Sequence, residues 1–129
     1  MTDTIVRIDP PRLKIQEVVQ GCEMRFSLKL RQRSIADPNV FEDVDTTLYT
    51  FLGHVKASKS VVAPLALLNI DSPGVLGPAH IDIYLTATQT TDLGAGEFYS
   101  LVKMWPNGDP DRAVPIATMK IPIVVEATL

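Results

Sequence analysis

Gly94-Ala95-Gly96 has the spacing of a phosphate-binding turn, in which glycines let the backbone close on an anion held by the amides and dipole of a following helix. The next residues are "EFYSLVKMW", an alternating run closed by Pro106, which reads as a strand. Without a helix behind the glycines the anion has nothing to hold it. The segment reads instead as a corner: Thr88 to Asp92 make a turn or a single helical turn, Leu93 plugs the core, and Gly94 or Gly96, or both, take positive φ.

The other residues capable of chemistry are scattered. His54 and His80 stand alone in separate strands with no second ligand at useful spacing, so neither reads as a metal ligand. Asp37, Asn39, Glu42, Asp43 and Asp45 could offer oxygens to calcium. They lack the fixed spacing and central glycine of an EF-hand loop, and a solvated acidic loop is the reading. The single cysteine, Cys22, cannot form a bridge within the chain; its place in an alternating apolar series makes it a small buried hydrophobe, and a reducing site of synthesis is inferred. The nucleophile elbow, the Walker motif, paired zinc cysteines and a Ser/His/Asp arrangement are missing. No catalytic residue, cofactor or metal is expected, and the chain reads as a non-enzyme.

The elements that would position any site are short strands. In "CEMRFSLKLR", Cys22, Met24, Phe26, Leu28 and Leu30 alternate with charged and polar residues, the mark of a half-buried strand. "HIDIYLT" sets Ile81, Ile83 and Leu85 against His80, Asp82 and Tyr84; "RLKIQEVV" and "TLYTFLGHVKA" continue the pattern. Strands are expected over residues 22–30, 48–57, 80–86 and 97–105, with Phe26, Leu28, Ile81, Ile83 and Leu85 buried. Ten prolines and seven glycines punctuate the runs, which suggests an all-β sandwich or barrel. Pro115 and Pro122, seven positions apart, would point their missing N–H groups to opposite edges of a regular strand. A break or bulge is therefore expected near Ala117 to Met119, with a possible change of sheet. Residues 31–46 lack alternation and read as a long loop, and residues 1–11 as an N-terminal arm.

At 129 residues the chain fits one domain spanning 1–129, large enough to bury a core without disulfides or metal. A net charge of −3 gives no general attraction to nucleic acid or anionic membrane. No apolar run approaches the roughly 18 to 20 residues of a membrane span, and Met1-Thr2-Asp3-Thr4 does not begin a signal peptide.

Residues 80–128 carry a further pattern. Leu85-Thr86 ends a strand, a polar turn runs through Thr90 or Thr91 to Leu93, Gly96-Glu97-Phe98 opens the next strand, Asn107-Gly108 makes a turn, and a closing strand ends over Val125 to Thr128. This order resembles the immunoglobulin-like domains of tailed-phage virion proteins, typified by the N-terminal domain of the phage baseplate upper protein. "GCEMRFSLKLRQ" and "TFLGHVKA" resemble its earlier strands. The acidic loop at 31–46 is longer than the family pattern, and no further domains are expected after Leu129.

The resemblance implies an immunoglobulin-like antiparallel β-sandwich that serves as a structural or adaptor protein of a phage particle, in tail, baseplate, neck or capsid decoration. It would be made in the host cytoplasm, reside in the virion, and contact other virion proteins in a multi-copy or homo-oligomeric assembly. Candidate interface residues are Val40 and Phe41 in the acidic loop, Tyr84, Trp105, and Asn107 in the turn after it. The alternative is a carbohydrate-binding module in which Trp105 and Tyr84 stack on a sugar.

Overall fold

The computed structural model describes residues 12–34, 36–37, 39–58 and 63–125. The expected N-terminal arm and the last four residues lie outside them. The fold is all-β with one short helix. In chain order the elements are β1 (Arg12–Lys14), β2 (Val18–Val19), β3 (Met24–Lys29), β4 (Arg31–Arg33), β5 (Phe41–Asp43), β6 (Tyr49–Lys56), β7 (Ala66–Leu67), β8 (Asn69–Asp71), β9 (His80–Leu85), α1 (Ala87–Leu93), β10 (Gly96–Pro106) and β11 (Val114–Val124), with 3-10 turns at Thr46–Leu48 and Pro110–Arg112.

Two sheets carry the core. One runs β1-β11-β10-β6-β7, with β2 also on β11, and the other runs β3-β9-β8; β4 and β5 form a separate hairpin. Alternation within each strand places one set of apolar residues between the two sheets. Ile81, Ile83 and Leu85 of β9 and Val55, Val102 and Ile121 of the larger sheet are fully buried in one cluster. Phe26 and Leu28 are half-buried at its margin, because β3 is the open edge of the smaller sheet. The four expected strands are present within one or two residues of their expected ends.

Three local expectations need correction. Cys22 is exposed: the chain leaves β2 through a turn with Gly21 at φ 87°, and the buried alternation of β3 begins only at Met24. Residues 31–46 are not a loop. β4 and β5 pair through Arg31↔Asp43, Gln32↔Glu42 and Arg33↔Phe41 as a projecting hairpin, and the 3-10 turn comes after it. All three residues of β5 are exposed, so the pairing leaves no apolar alternation to detect. β11 stays in one sheet throughout. Its bulge lies between Pro115 and Ala117, a residue or two before the expected place, where Val102 pairs Ala117 but Lys103 pairs Pro115. Gln20 N donates to Val124 O at 2.8 Å, so alternate residues back to Pro122 face the β1–β2 side. There the edge is broken between Lys14 and Val18. The extra residue of the bulge turns Pro115 to the same side, above the first β1 pair at Thr118, and neither proline interrupts the β10 ladder.

The expected corner is present. Thr86 caps α1 with a capping box: its hydroxyl accepts from Gln89 N at 3.1 Å, and Gln89 Oε1 accepts from Thr86 N at 3.0 Å. Gly94 at φ 78° and Gly96 at φ 150° end the helix and start β10, and Leu93 packs on the core. On the outer face of the smaller sheet the segment after β8 folds back over Asp82. The carboxylate accepts from Ser27 Oγ at 2.7 Å and from Val75 N at 3.1 Å and is 2 % exposed. A Cβ on Gly74 would come within 2.6 Å of Asp82 Oδ1, so this approach requires glycine.

Truncating Ile83 to alanine should cost about 2–5 kcal/mol, measured by denaturant unfolding, because its neighbours on both sheets cannot close the cavity. The hydrogen bond from Ser27, then that from Val75, holds the Asp82 carboxyl below its ordinary pKa. A depressed folded-state value adds stability above the unfolded-state pKa, and that stability disappears as pH falls through the folded value. The stability gap between wild type and Asp82→Asn should therefore be widest near neutrality and shrink in acid. A gap that does not narrow on acidification would show that the ionised carboxylate is not what holds the segment.

Candidate protein interface

Strand directions gather four connections at one end of the molecule. β3 ends at Lys29 opposite the first residue of β9, His80, while β6 begins at Tyr49 opposite the end of β10 at Pro106. The hairpin, the 3-10 turn at Thr46–Leu48, the segment 72–79 and the turn 107–113 therefore all leave from this end.

Buried polar joints fix these connections to one another. Leu30 N donates to Ala79 O at 2.8 Å, which seats the base of the hairpin on segment 72–79, and Val44 N donates to Leu30 O at 3.0 Å, which closes that base. Thr46, fully buried, donates its hydroxyl to Pro78 O at 2.7 Å and its amide to the same carbonyl at 2.8 Å; Ser72 Oγ donates to Thr46 O. Asp45 caps the 3-10 turn by accepting from Thr47 N at 3.1 Å. Asn107 clamps the far turn: its Nδ2 donates to Thr47 O, its N donates to Leu48 O, and its Oδ1 accepts from Thr50 Oγ1 at 2.8 Å. Bonded to one another in this way, the connections make a shaped platform rather than a set of independent loops. One buried polar atom on this rim is an exception. His80 Nδ1 has no hydrogen-bond partner among the described residues and lies beside a cleft of about 330 Å³ between Asp43–Asp45 and Leu76–His80.

On this platform apolar side chains are left in water. Val40 and Phe41 on the hairpin are 48 % and 49 % exposed, Leu48 is 61 % exposed, and Val75 and Leu76 at the crest of segment 72–79 are 88 % and 66 % exposed. Six carboxylates stand among them: Asp37, Glu42, Asp43, Asp45, Asp109 and Asp111. Asp43 is paired with Lys29 at 3.7 Å and Arg31 at 3.3 Å.

Of the five residues expected at an interface, Val40 and Phe41 are on this platform, and Asn107 is at its edge with its side chain consumed by internal bonds. Tyr84 is elsewhere, on the outer face of the smaller sheet, with the Arg25 guanidinium 4.1 Å from its ring centroid. The guanidinium is held charged chiefly by its bond to Glu23. Trp105 belongs, by strand parity, to the outer face of the larger sheet, in register with Thr50. The two aromatics expected to stack on one sugar are thus on different sheets. Sequence reasoning misses Val75 and Leu76. The run Pro73-Gly74-Val75-Leu76-Gly77-Pro78 reads as a turn, and its one available signal is a pair of large aliphatic residues at the centre of that turn.

Among the described residues no group of three or more His, Cys, Asp or Glu side chains is placed to hold a metal. No family model matches the sequence, and no curated protein does. Among solved structures, a chain from the complex of PbICP-C with falcipain-2 superposes with a TM-score of 0.50 at 11 % identity, over 98 % of this chain and 96 % of that one. The likeness extends over nearly the whole length of both chains, and at this identity it is a likeness of fold.

Proposed function

We propose that the chain is an immunoglobulin-like sandwich acting as a non-enzymatic structural or adaptor protein of a phage particle, through protein–protein contacts. The observation that carries the contact role is the platform: Val40, Phe41, Leu48, Val75 and Leu76 are all held in water at one end by connections whose own polar groups are bonded to each other. Apolar residues on a preorganised surface lose little conformational freedom on binding, so more of their burial appears as affinity. The strand orders β3-β9-β8 and β11-β10-β6-β7, with β1 running parallel to β11, support the immunoglobulin-like reading.

The phage setting rests on the order of signals in the second half of the chain. Leu85-Thr86 closes β9 and caps α1, Thr90 and Leu93 fill the corner, Gly96-Glu97-Phe98 opens β10, and Asn107-Gly108 makes the turn into β11. In such an assembly the mechanism is geometric. A rigid two-sheet body fixes the direction in which its end platform faces a neighbour.

Phe41→Asp tests the reading, because a charge on the exposed hairpin leaves the core untouched. The variant should unfold at the wild-type denaturant midpoint but enter phage particles at a small fraction of the wild-type level, as measured by quantitative mass spectrometry of purified particles. Normal incorporation of the variant would remove Phe41 from the interface. Absence of the wild-type protein from purified particles would overturn the assignment.

A further inference from the structure

The net charge of −3 conceals a separation of sign. The outer face of the larger sheet carries Arg12 and Lys14 on β1, Lys120 on β11, Lys103 on β10 and Lys56 on β6, and its one strand carboxylate, Glu97, is paired with Lys120 at 2.9 Å. That bond raises the Lys120 pKa, so this ammonium is firmly charged. Cross-strand register assembles the rest into a surface. Arg12, Thr118, Leu101, His54 and Leu67 form one row across five strands, and Lys14, Lys120, Tyr99 and Lys56 form the next. Residues of both rows line a groove of about 580 Å³, among them Arg12, Lys56, Tyr99, Leu101 and Lys120, with Lys103 beside them. Lys56 and Lys103 make no ion pair among the described residues.

The end platform is the chemical complement of this face. Its six carboxylates outnumber the four cations of the same segments, Lys29, Arg31, Arg33 and Arg112, and exposed aliphatic and aromatic residues accompany them. One copy cannot bring the two surfaces together. The hairpin projects from β3 in the smaller sheet, while the groove is on the outward face of the larger sheet, on the far side of the core.

We infer that the basic groove on the larger sheet receives the acidic, apolar end platform of a second copy of this chain. The contact is heterologous: each copy offers one platform and one groove, so repetition gives a ring or an open row rather than a closed two-fold dimer. Opposite potentials steer and orient the encounter, and the apolar residues in both surfaces supply the area removed from water. The inference rests on the assembly role proposed for the chain and specifies its partner.

Two charge reversals test it, one at half-buried Lys56 and Lys103 and one at exposed Glu42 and Asp111. Lys56→Glu/Lys103→Glu sets carboxylates in the groove against an acidic platform, and Glu42→Lys/Asp111→Lys sets lysines on the platform against a basic groove. Analytical ultracentrifugation of the wild type from about 1 μM to about 500 μM spans the dissociation constants expected of a weak assembly contact. The wild type should associate with rising concentration, and less so at high salt, where the Debye length falls to about 3 Å. Each reversal alone should weaken association about 100-fold or more, because like charges then face each other. An equimolar mixture should recover it, since each variant's platform now complements the other's groove. The inference is overturned by a wild type that stays monomeric throughout, by a mixture that stays as monomeric as its components, or by binding of a single-stranded oligonucleotide that Lys56→Glu/Lys103→Glu abolishes while the wild type remains monomeric. A monomeric wild type still found in particles would sink the self-docking alone and leave the adaptor reading standing.

Discussion

One buried hydroxyl holds the two sheets in register. Thr90, on α1, is completely enclosed; its Oγ1 accepts from Gly21 N at 3.0 Å and is within reach of the carbonyls of Cys22 and Ala87 at 2.9 and 3.0 Å, which share its single proton. The neighbouring Gln89 donates to Leu67 O at 2.9 Å and accepts from Asn69 Nδ2. The chain crosses between the sheets at this end three times, from β2 to β3, from β7 to β8 and from β9 to β10, and the short helix touches all three crossings. Seven residues make a marginal helix in isolation. Here the helix persists because its cap is internal and its buried side chains bond to the crossings. Loss of the Thr90 hydroxyl would leave Gly21 N and Cys22 O facing an apolar methyl group in the interior, a cost of the desolvation kind rather than the loss of one weak bond.

With the crossings tied at the helix end, the opposite end is free to carry structure that the core does not need. This accounts for the difference in character between the two ends. At the helix end, side-chain bonds reach across about 70 positions of sequence, as between Gly21 and Thr90. At the platform end the bonds run among the connections themselves: Thr46 to Pro78, Asn107 to Thr47, Leu30 to Ala79. Those bonds shape a surface. Phe41 sits on a hairpin whose base is fastened through Leu30 N to Ala79 O but whose strands pair only with each other. Such an arm can project its side chains without being absorbed into either sheet.

The parts of this architecture that are legible in the sequence are those in which burial writes a period. β3, β6, β9 and β10 show alternation because each has one face on the core, and Gly94 and Gly96 are legible as a corner because a strand, not a helix, comes after them. Cys22 misleads because it continues the apolar series two residues beyond the point where the backbone turns out of the strand. The β4–β5 hairpin is illegible for the opposite reason: projecting from the body, it has no core face to make it alternate. β7 and β8, two and three residues long, are too short to show any period. Asp82 reads as an outward, solvated position and is in fact buried, because a segment seven residues earlier in sequence folds over it and supplies Val75 N. Sheet parity gives direction, but not what later covers that face.

The same limitation applies to charge, and there it bears on function. A total of −3 predicts no general attraction to a polyanion, as it would for a uniform sphere. A total does not describe how charge is distributed on a body whose strands sort their outward residues by face. β1, β6, β10 and β11 present lysines and an arginine at outward positions, and the acids that outnumber them are largely in the connections. Sorting of this kind is a consequence of sheet register: Lys14, Lys120, Tyr99 and Lys56 are spread over more than a hundred positions of sequence, yet cross-strand pairing puts them in one row. Like charges in adjacent strands destabilise a sheet modestly. Here the repulsion is partly offset by Glu97 and by Tyr99, whose ring centroid lies 6.0 Å from Lys120 Nζ. The remainder, Lys56 and Lys103 with Arg12 and Lys14, stands outside the core cluster. On the self-docking proposed above, carboxylates arriving from the second copy would relieve that repulsion.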